Sequence, residues 1–388
     1  MKSKAWTVTF CAVAAGIAIA IAQNKTLPCI DALQAEFAIS KAAAGWLSSV
    51  FCVMGVAMAF PAAVIVERLG VQKTCVLSLL CAAGGTLLGL LSRSVSLMLL
   101  SRVIEGVGAG LISIAVPALI AMWFPPEKRG LPTGLWTSWQ FVGQAVCFFL
   151  GAAAVAAWGW RSVWAGSLAL LLLCTALSRL FICAPAQPAV DASAESGASL
   201  SLGDLCKNKP AWLLSLSMFC FCFACFGFIT WAASCWMETL QMRASQANSY
   251  IGIFTLVSLP VVLAAGWVLD HVNRKRFGTI MFFLYAGIVA VAFLLPQAKW
   301  ALAFVLIYPF FEGAVSTSLW TMIPQTAKTA GQVPMVIALF TLMSNAGMLL
   351  GPPAVGMVIE RFGWPAAAIV VAAMAFIGTA ALLLVKTD

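Results

Sequence analysis

The stretch Glu67-Arg68-Leu69-Gly70-Val71-Gln72-Lys73 recurs in altered form, 203 residues later, as Asp270-His271-Val272-Asn273-Arg274-Lys275-Arg276. Each copy lies between two apolar runs, Gly45–Val66 and Thr74–Leu91 for the first, Tyr250–Leu269 and Gly278–Leu295 for the second. Three more landmarks repeat: Glu105-Gly106 as Glu312-Gly313, Gly143 as Gly347, and Gly159-Trp160 as Gly363-Trp364. All four offsets fall between 203 and 207 residues. One shared interval across independent landmarks reads as a duplicated unit of about half the chain.

Composition says what kind of unit it is. Of 388 residues, 63% are hydrophobic and 9% charged, and the mean hydropathy is +1.01. Soluble domains run near half apolar and a quarter charged, so this chain could not cover its own surface in water. Its apolar runs are continuous, which excludes the alternating strands of an outer-membrane barrel. A spanning helix needs about 20 apolar residues, and twelve such segments can be read. Spans one to six are Trp6–Ala22, Gly45–Val66, Thr74–Leu91, Leu97–Trp123, Gly130–Trp158 and Ser162–Cys183. Spans seven to twelve are Ala211–Trp236, Tyr250–Leu269, Gly278–Leu295, Ala301–Ile323, Val333–Ile359 and Trp364–Val385.

The longest polar stretch, Ala184–Pro210, contains the midpoint of the chain and reads as a linker. The expected organisation is a bundle over 1–183, a linker over 184–210 and a bundle over 211–388. Lys2 and Lys4 before an apolar run ending Ala20-Ile21-Ala22 also fit a signal peptide, but eleven further spans favour an uncleaved first helix. With both termini inside, twice as many Lys and Arg fall on the cytoplasmic side as outside, which fits the positive-inside rule and an even number of spans. The formal charge of +9 is thereby a loop property rather than a nucleic-acid footprint. The 13 cysteines show no metal-ligand spacing, and Cys220, Cys222 and Cys225 read as small buried apolar groups. No cofactor or metal is expected, and the single histidine, His271, excludes a site needing two imidazoles.

The duplicated loop resembles the signature between spans two and three of the major facilitator superfamily, and the resemblance extends over the whole chain. That signature is Gly-x-x-x-Asp-Arg-x-Gly-x-Arg/Lys-Arg/Lys. The first copy offers Ala63, Glu67, Arg68, Gly70 and Lys73; the second offers Gly266, Asp270, His271, Asn273, Lys275 and Arg276. The resemblance implies an all-α integral membrane fold of twelve helices, as two six-helix bundles related by a pseudo-two-fold axis. It also implies a cytoplasmic gate in which Glu67 with Arg68, and Asp270 with Arg274, Lys275 and Arg276, link neighbouring helices. Arg102-Val-Ile-Glu105-Gly106-Val-Gly108 is similar to the family's Arg-x-x-Gln-Gly-x-Gly pattern in span four, often associated with proton coupling. Pro125-Pro126-Glu127-Lys128-Arg129-Gly130 looks like its usual entry to span five. Gly347 with Gly351-Pro352 resembles a drug-antiporter motif, although in those proteins the motif sits in span five, where this chain lacks the proline. The compact length looks most like prokaryotic small-anion permeases of the cyanate and nitrate/nitrite type.

Charges inside a membrane cost about 2.5–3.5 kcal/mol each, so Arg102, Glu105 and Glu312 stand out, with Lys25 just beyond the apolar part of span one. The family fold places spans one, four, seven and ten around a central cavity. Arg102 and Glu105 are spaced i, i+3 and can pair on one helix face. Such a pair either fastens helices or leaves Arg102 facing an anionic solute. Lys25, flanked by Asn24, either attracts anions or snorkels to the interface. Glu312 has no basic residue in its own helix and is the expected proton carrier, because burial penalises its charged form. Gln140, Trp136, Thr230 and Asn345 are further solute-contact candidates.

The expectation is therefore a monomeric multi-pass transporter of a prokaryotic cytoplasmic membrane, with no enzymatic activity. It would move a small, anionic solute by alternating access, coupled to protons or by exchange. The rival readings are a proton-coupled drug or cation antiporter, with Glu105 and Glu312 as its attracting pair, and a non-transporting membrane sensor.

Overall fold

The computed structural model describes residues 2–125, 128, 130–183, 208–269, 271–327 and 333–385. Among them there is no β-strand; the chain is helix joined by short turns. Among the described residues, nine stretches are long and apolar enough to cross a membrane, the last of them, Met335–Leu384, being 50 residues long. That stretch is broken at Gly363 (φ 78°) and supplies spans eleven and twelve. Span two is a chain of shorter helices, Lys41–Ser49, Phe51–Ala57 and Ala59–Leu69, and span nine is Arg274–Val291. Every predicted span thus has a helical counterpart.

The surface confirms the solvent. Leu131, Trp158, Leu180, Phe362 and Ile369 are each about 70% exposed or more, a liability in water but the expected outer coat of helices in hydrocarbon.

The described chain divides into two compact units. One comprises Met1–Phe37 and Val50–Gly197; the other comprises Ala38–Ser49 and Ala198–Asp388. In the first unit, span four (Val95–Trp123) packs on spans three and one and on the Phe51–Ala57 part of span two, while span six (Trp160–Phe181) packs on spans three and one. In the second, span seven (Lys209–Leu240) runs along spans eleven and twelve, span ten (Ala298–Thr321) lies on span eight (Ala244–Leu269), and Lys41–Ser49 packs on the span eleven–twelve stretch.

The repeat is visible in backbone detail. Gly159 and Gly363 hold φ of 77° and 78°, a left-handed bend that glycine adopts without penalty. A Cβ on Gly143 would lie 2.4 Å from Ala20 of span one; one on Gly347 would lie 2.4 Å from the Phe219 carbonyl of span seven. Small residues let each fifth helix of a repeat press on its first. The match is incomplete at the loop that announced it. Gly70 has φ 79°, while Asn273 at the equivalent position has φ −66° and caps span nine, its side chain accepting from the Arg276 amide.

Candidate functional site

Two buried polar groups face the interior, one in each unit. In the first, span one ends at Asn24 and a 3-10 turn follows at Leu27–Cys29. Helix ends leave carbonyls without partners, and Arg102 of span four meets this need. Its guanidinium donates to the carbonyls of Ala22 (2.6 Å) and Gln23, and also to Glu105 Oε2 one turn along its own helix. Lys25 Nζ donates to Glu105 Oε1 (2.6 Å) and to Thr86 Oγ1 of span three (2.8 Å), while Thr86 Oγ1 donates to the same Glu105 oxygen (2.8 Å). The ammonium also sits 4.9 Å from the Trp164 ring of span six. Lys25, Arg102 and Glu105 are all completely buried.

The i, i+3 pair expected from the sequence is therefore present, but it belongs to a larger network. Lys25 is sealed beneath Trp164 and shares one carboxylate with Arg102. Both cations share the Glu105 carboxylate. Asn24 donates back to Ala20 of its own helix (2.9 Å), Gln140 reaches Gln23 of span one (3.0 Å), and Trp136 stacks on Trp139 at 4.9 Å. Asn24 and Trp136 are buried with the network in the first unit.

Glycines make room for it. A Cβ on Gly85 of span three would lie 2.7 Å from both Glu105 Cγ and the Ser101 carbonyl, whereas next to it a Cβ on Gly84 would meet nothing within 4 Å. Overpacking of this kind costs about 1–3 kcal/mol. Gly85→Ala is thus expected to lower the melting temperature of the purified protein clearly, and Gly84→Ala to leave it unchanged; equal effects would refute the close approach.

In the second unit Glu312 of span ten lies beside Ser258 of span eight, and its Oε2 is buried without a hydrogen-bond partner. Tyr285 of span nine and Tyr308 of span ten, one turn from Glu312, join hydroxyls at 2.9 Å, both fully buried. Cys225 of span seven lies beside both tyrosines. Phe228, Phe254 and Phe304 pack their rings on Tyr308. Thr230 is buried on span seven, and Asn345 donates to Thr341 within its own helix (2.9 Å). The repeat thus gives one carboxylate per unit with opposite surroundings. Glu105 is shared by two cations, and Glu312 has an orphaned buried oxygen beside the Ser258 hydroxyl.

A family model of the Major Facilitator Superfamily matches residues 8–334. The chain belongs to that superfamily. A Bacillus subtilis (strain 168) protein named for niacin/nicotinamide transport is 26% identical over 63% of this chain and 62% of its own length. The hexuronate transporter of the same organism is 22% identical over 85% of this chain and 82% of its own length. Among solved structures, a bacterial homolog of the human lysosomal transporter Spinster, inward-facing and unoccupied, has a TM-score of 0.80 at 17% identity, covering 99% of this chain and 95% of that one. The chain spans less than two thirds of the first of these relatives. The superfamily assignment places it among multi-pass membrane carriers rather than enzymes.

The superfamily's loop signature takes a thinned form here. Glu67, Arg68 and Lys73 are exposed, and among the described residues no ion pair joins Glu67 to a base. Gly70 supplies the left-handed link between the second and third spans. In the second copy, Arg274 does tie helices together, donating to the Leu269 carbonyl at the end of span eight (3.4 Å) and the Thr321 carbonyl at the end of span ten (3.3 Å). Lys275 is half-buried and Arg276 exposed in the first turn of span nine, and Gly266 lies within span eight. Asp270, Glu127 and Arg129 lie outside the described residues.

Proposed function

We propose that this superfamily member carries a small organic anion across the cytoplasmic membrane by alternating access, in step with protons. The predicted halves 1–183 and 211–388 would be its moving bodies and 184–210 their cytoplasmic linker, with both termini inside. The observation that carries the anion reading is the pair of buried cations in the first unit, where Lys25 and Arg102 both contact the carboxylate of Glu105. In a low-dielectric surrounding buried cations act over a long range, so they favour an anion nearby without direct contact. Arg102 and Lys25 supply that field while their hydrogen bonds hold spans one, three and four together. The names of two relatives, one for a hexuronate and one for niacin/nicotinamide, include two solutes, hexuronate and niacin, that are carboxylates when ionised, which supports the same class of solute.

Glu312 supports the proton half of the reading. A carboxylate with an orphaned buried oxygen is costly when charged, and a proton removes that cost. Release of the proton as water gains access would then drive the unit back. Gln140, Thr230 and Asn345 are the proposed solute contacts.

The test is uptake into proteoliposomes of radiolabelled glucuronate, nicotinate, formate and nitrate, with a lipophilic cation as competitor class. Saturable uptake of a carboxylate is expected. Uptake of the lipophilic cation alone would replace this reading with the antiporter.

A further inference from the structure

Lys41, at the start of span two, packs within the second unit. Its ammonium is 2.6 Å from Glu238 Oε1 of span seven, 4.6 Å from the Trp364 ring and 5.9 Å from the Trp231 ring. The walls of this enclosure are fixed without help from Lys41. Trp231 Nε1 donates to the Pro352 carbonyl (2.9 Å) and Trp364 Nε1 donates to Glu238 Oε2 (3.0 Å). The Trp364 ring also stacks on Phe293 at 5.9 Å with a 20° interplanar angle. Two held indole faces and a held carboxylate around one cation are the elements of an aromatic cage, the arrangement that recognises organic ammonium ions.

The backbone leading to the cage is seated just as closely. A Cβ on Gly356 would lie 2.7 Å from the Lys41 carbonyl, and one on Gly45 would lie 2.6 Å from the backbone of Pro353. The helix Lys41–Ser49 therefore lies in a slot along span eleven, with its first side chain plugged into the cage. Lys41 keeps 18% of its side-chain surface exposed and Glu238 51%, so the cage opens to solvent.

We propose that Glu238, Trp231 and Trp364 form an organic-ammonium site that Lys41 occupies in cis, pinning the start of span two. An alkylammonium ion takes the same site when the lysine side chain is removed. This inference does not depend on the solute or on proton coupling.

Purified Lys41→Ala protein tests it with n-butylammonium chloride, against sodium chloride at equal ionic strength. A melting temperature lowered by about 2–4 °C, restored by n-butylammonium in Lys41→Ala and not raised by it in wild type or in Lys41→Ala/Trp364→Ala, is the expected pattern. An equal response in all three proteins, or none in any, overturns the site. Lysine methylation gives a second reading that does not depend on melting temperature. After reductive methylation with 13C-formaldehyde, the dimethylated Lys41 carbon, identified by its loss in Lys41→Arg, is expected upfield of the other lysines because both indoles shield it. A Lys41 signal among those of unenclosed lysines would equally overturn the proposal.

Discussion

Glu105→Gln is expected to lose about 3–5 kcal/mol of stability, the range for removing one partner of a buried ion pair, while Lys25→Met loses little. The asymmetry follows from charge. Glu105 is the shared anion of Lys25 and Arg102, and all three are fully buried. Its amide would take from Lys25 and Arg102 the carboxylate they share and leave two like charges near each other in a low-dielectric interior. Removing Lys25 leaves the Arg102–Glu105 pair neutral, with the Thr86 hydroxyl still donating to Glu105 and Arg102 still holding the carbonyls of span one. Fluorescence-detected size-exclusion after heating reads the difference directly. A Glu105→Gln protein that melts with wild type, or a Lys25→Met protein that melts far below it, would show that the network is not balanced on Glu105.

The second large effect is expected at Glu312. Glu312→Gln should keep solute exchange across the membrane while losing accumulation driven by a proton gradient. The amide is close in size to the carboxylic acid and stays neutral, so it mimics the protonated form throughout the cycle. The Tyr285–Tyr308 hydroxyl pair and the rings around it remain. Counterflow and gradient-driven uptake measured on one proteoliposome preparation separate the two. Loss of both to the same extent would make Glu312 a solute contact or a structural group. Full retention of gradient-driven uptake would place the proton elsewhere.

The architecture was legible because the bilayer allows so few solutions. Backbone groups without water must bond within helices, so apolar runs, their number and their repeat interval left little choice of fold. Gly159 and Gly363 were legible as a repeated landmark, while the left-handed bend that both hold is seen only in the backbone. The i, i+3 spacing of Arg102 and Glu105 showed their pairing. Their joining with Lys25, 80 residues from Glu105, depends on which helices pack together, and hydropathy does not encode that. The same holds for Ala38–Ser49. Its sequence neighbours build the first unit, yet Gly45 fits the Pro352–Pro353 backbone and Lys41 fits its cage in the second. Tyr285 and Tyr308 had a signal that the reading passed over. The chain has only 3 tyrosines; Tyr250 stands near the start of a span, whereas Tyr285 and Tyr308 lie well inside theirs, where a hydroxyl needs a partner.

Proton movement during anion transport tests the central claim most directly. Proteoliposomes loaded with a pH-sensitive dye and given an inward gradient of a transported carboxylate should acidify inside, at a rate that rises with the anion flux and disappears in Glu312→Gln. Carboxylate entry with no change of internal pH, or acidification that persists undiminished in Glu312→Gln, would contradict the account.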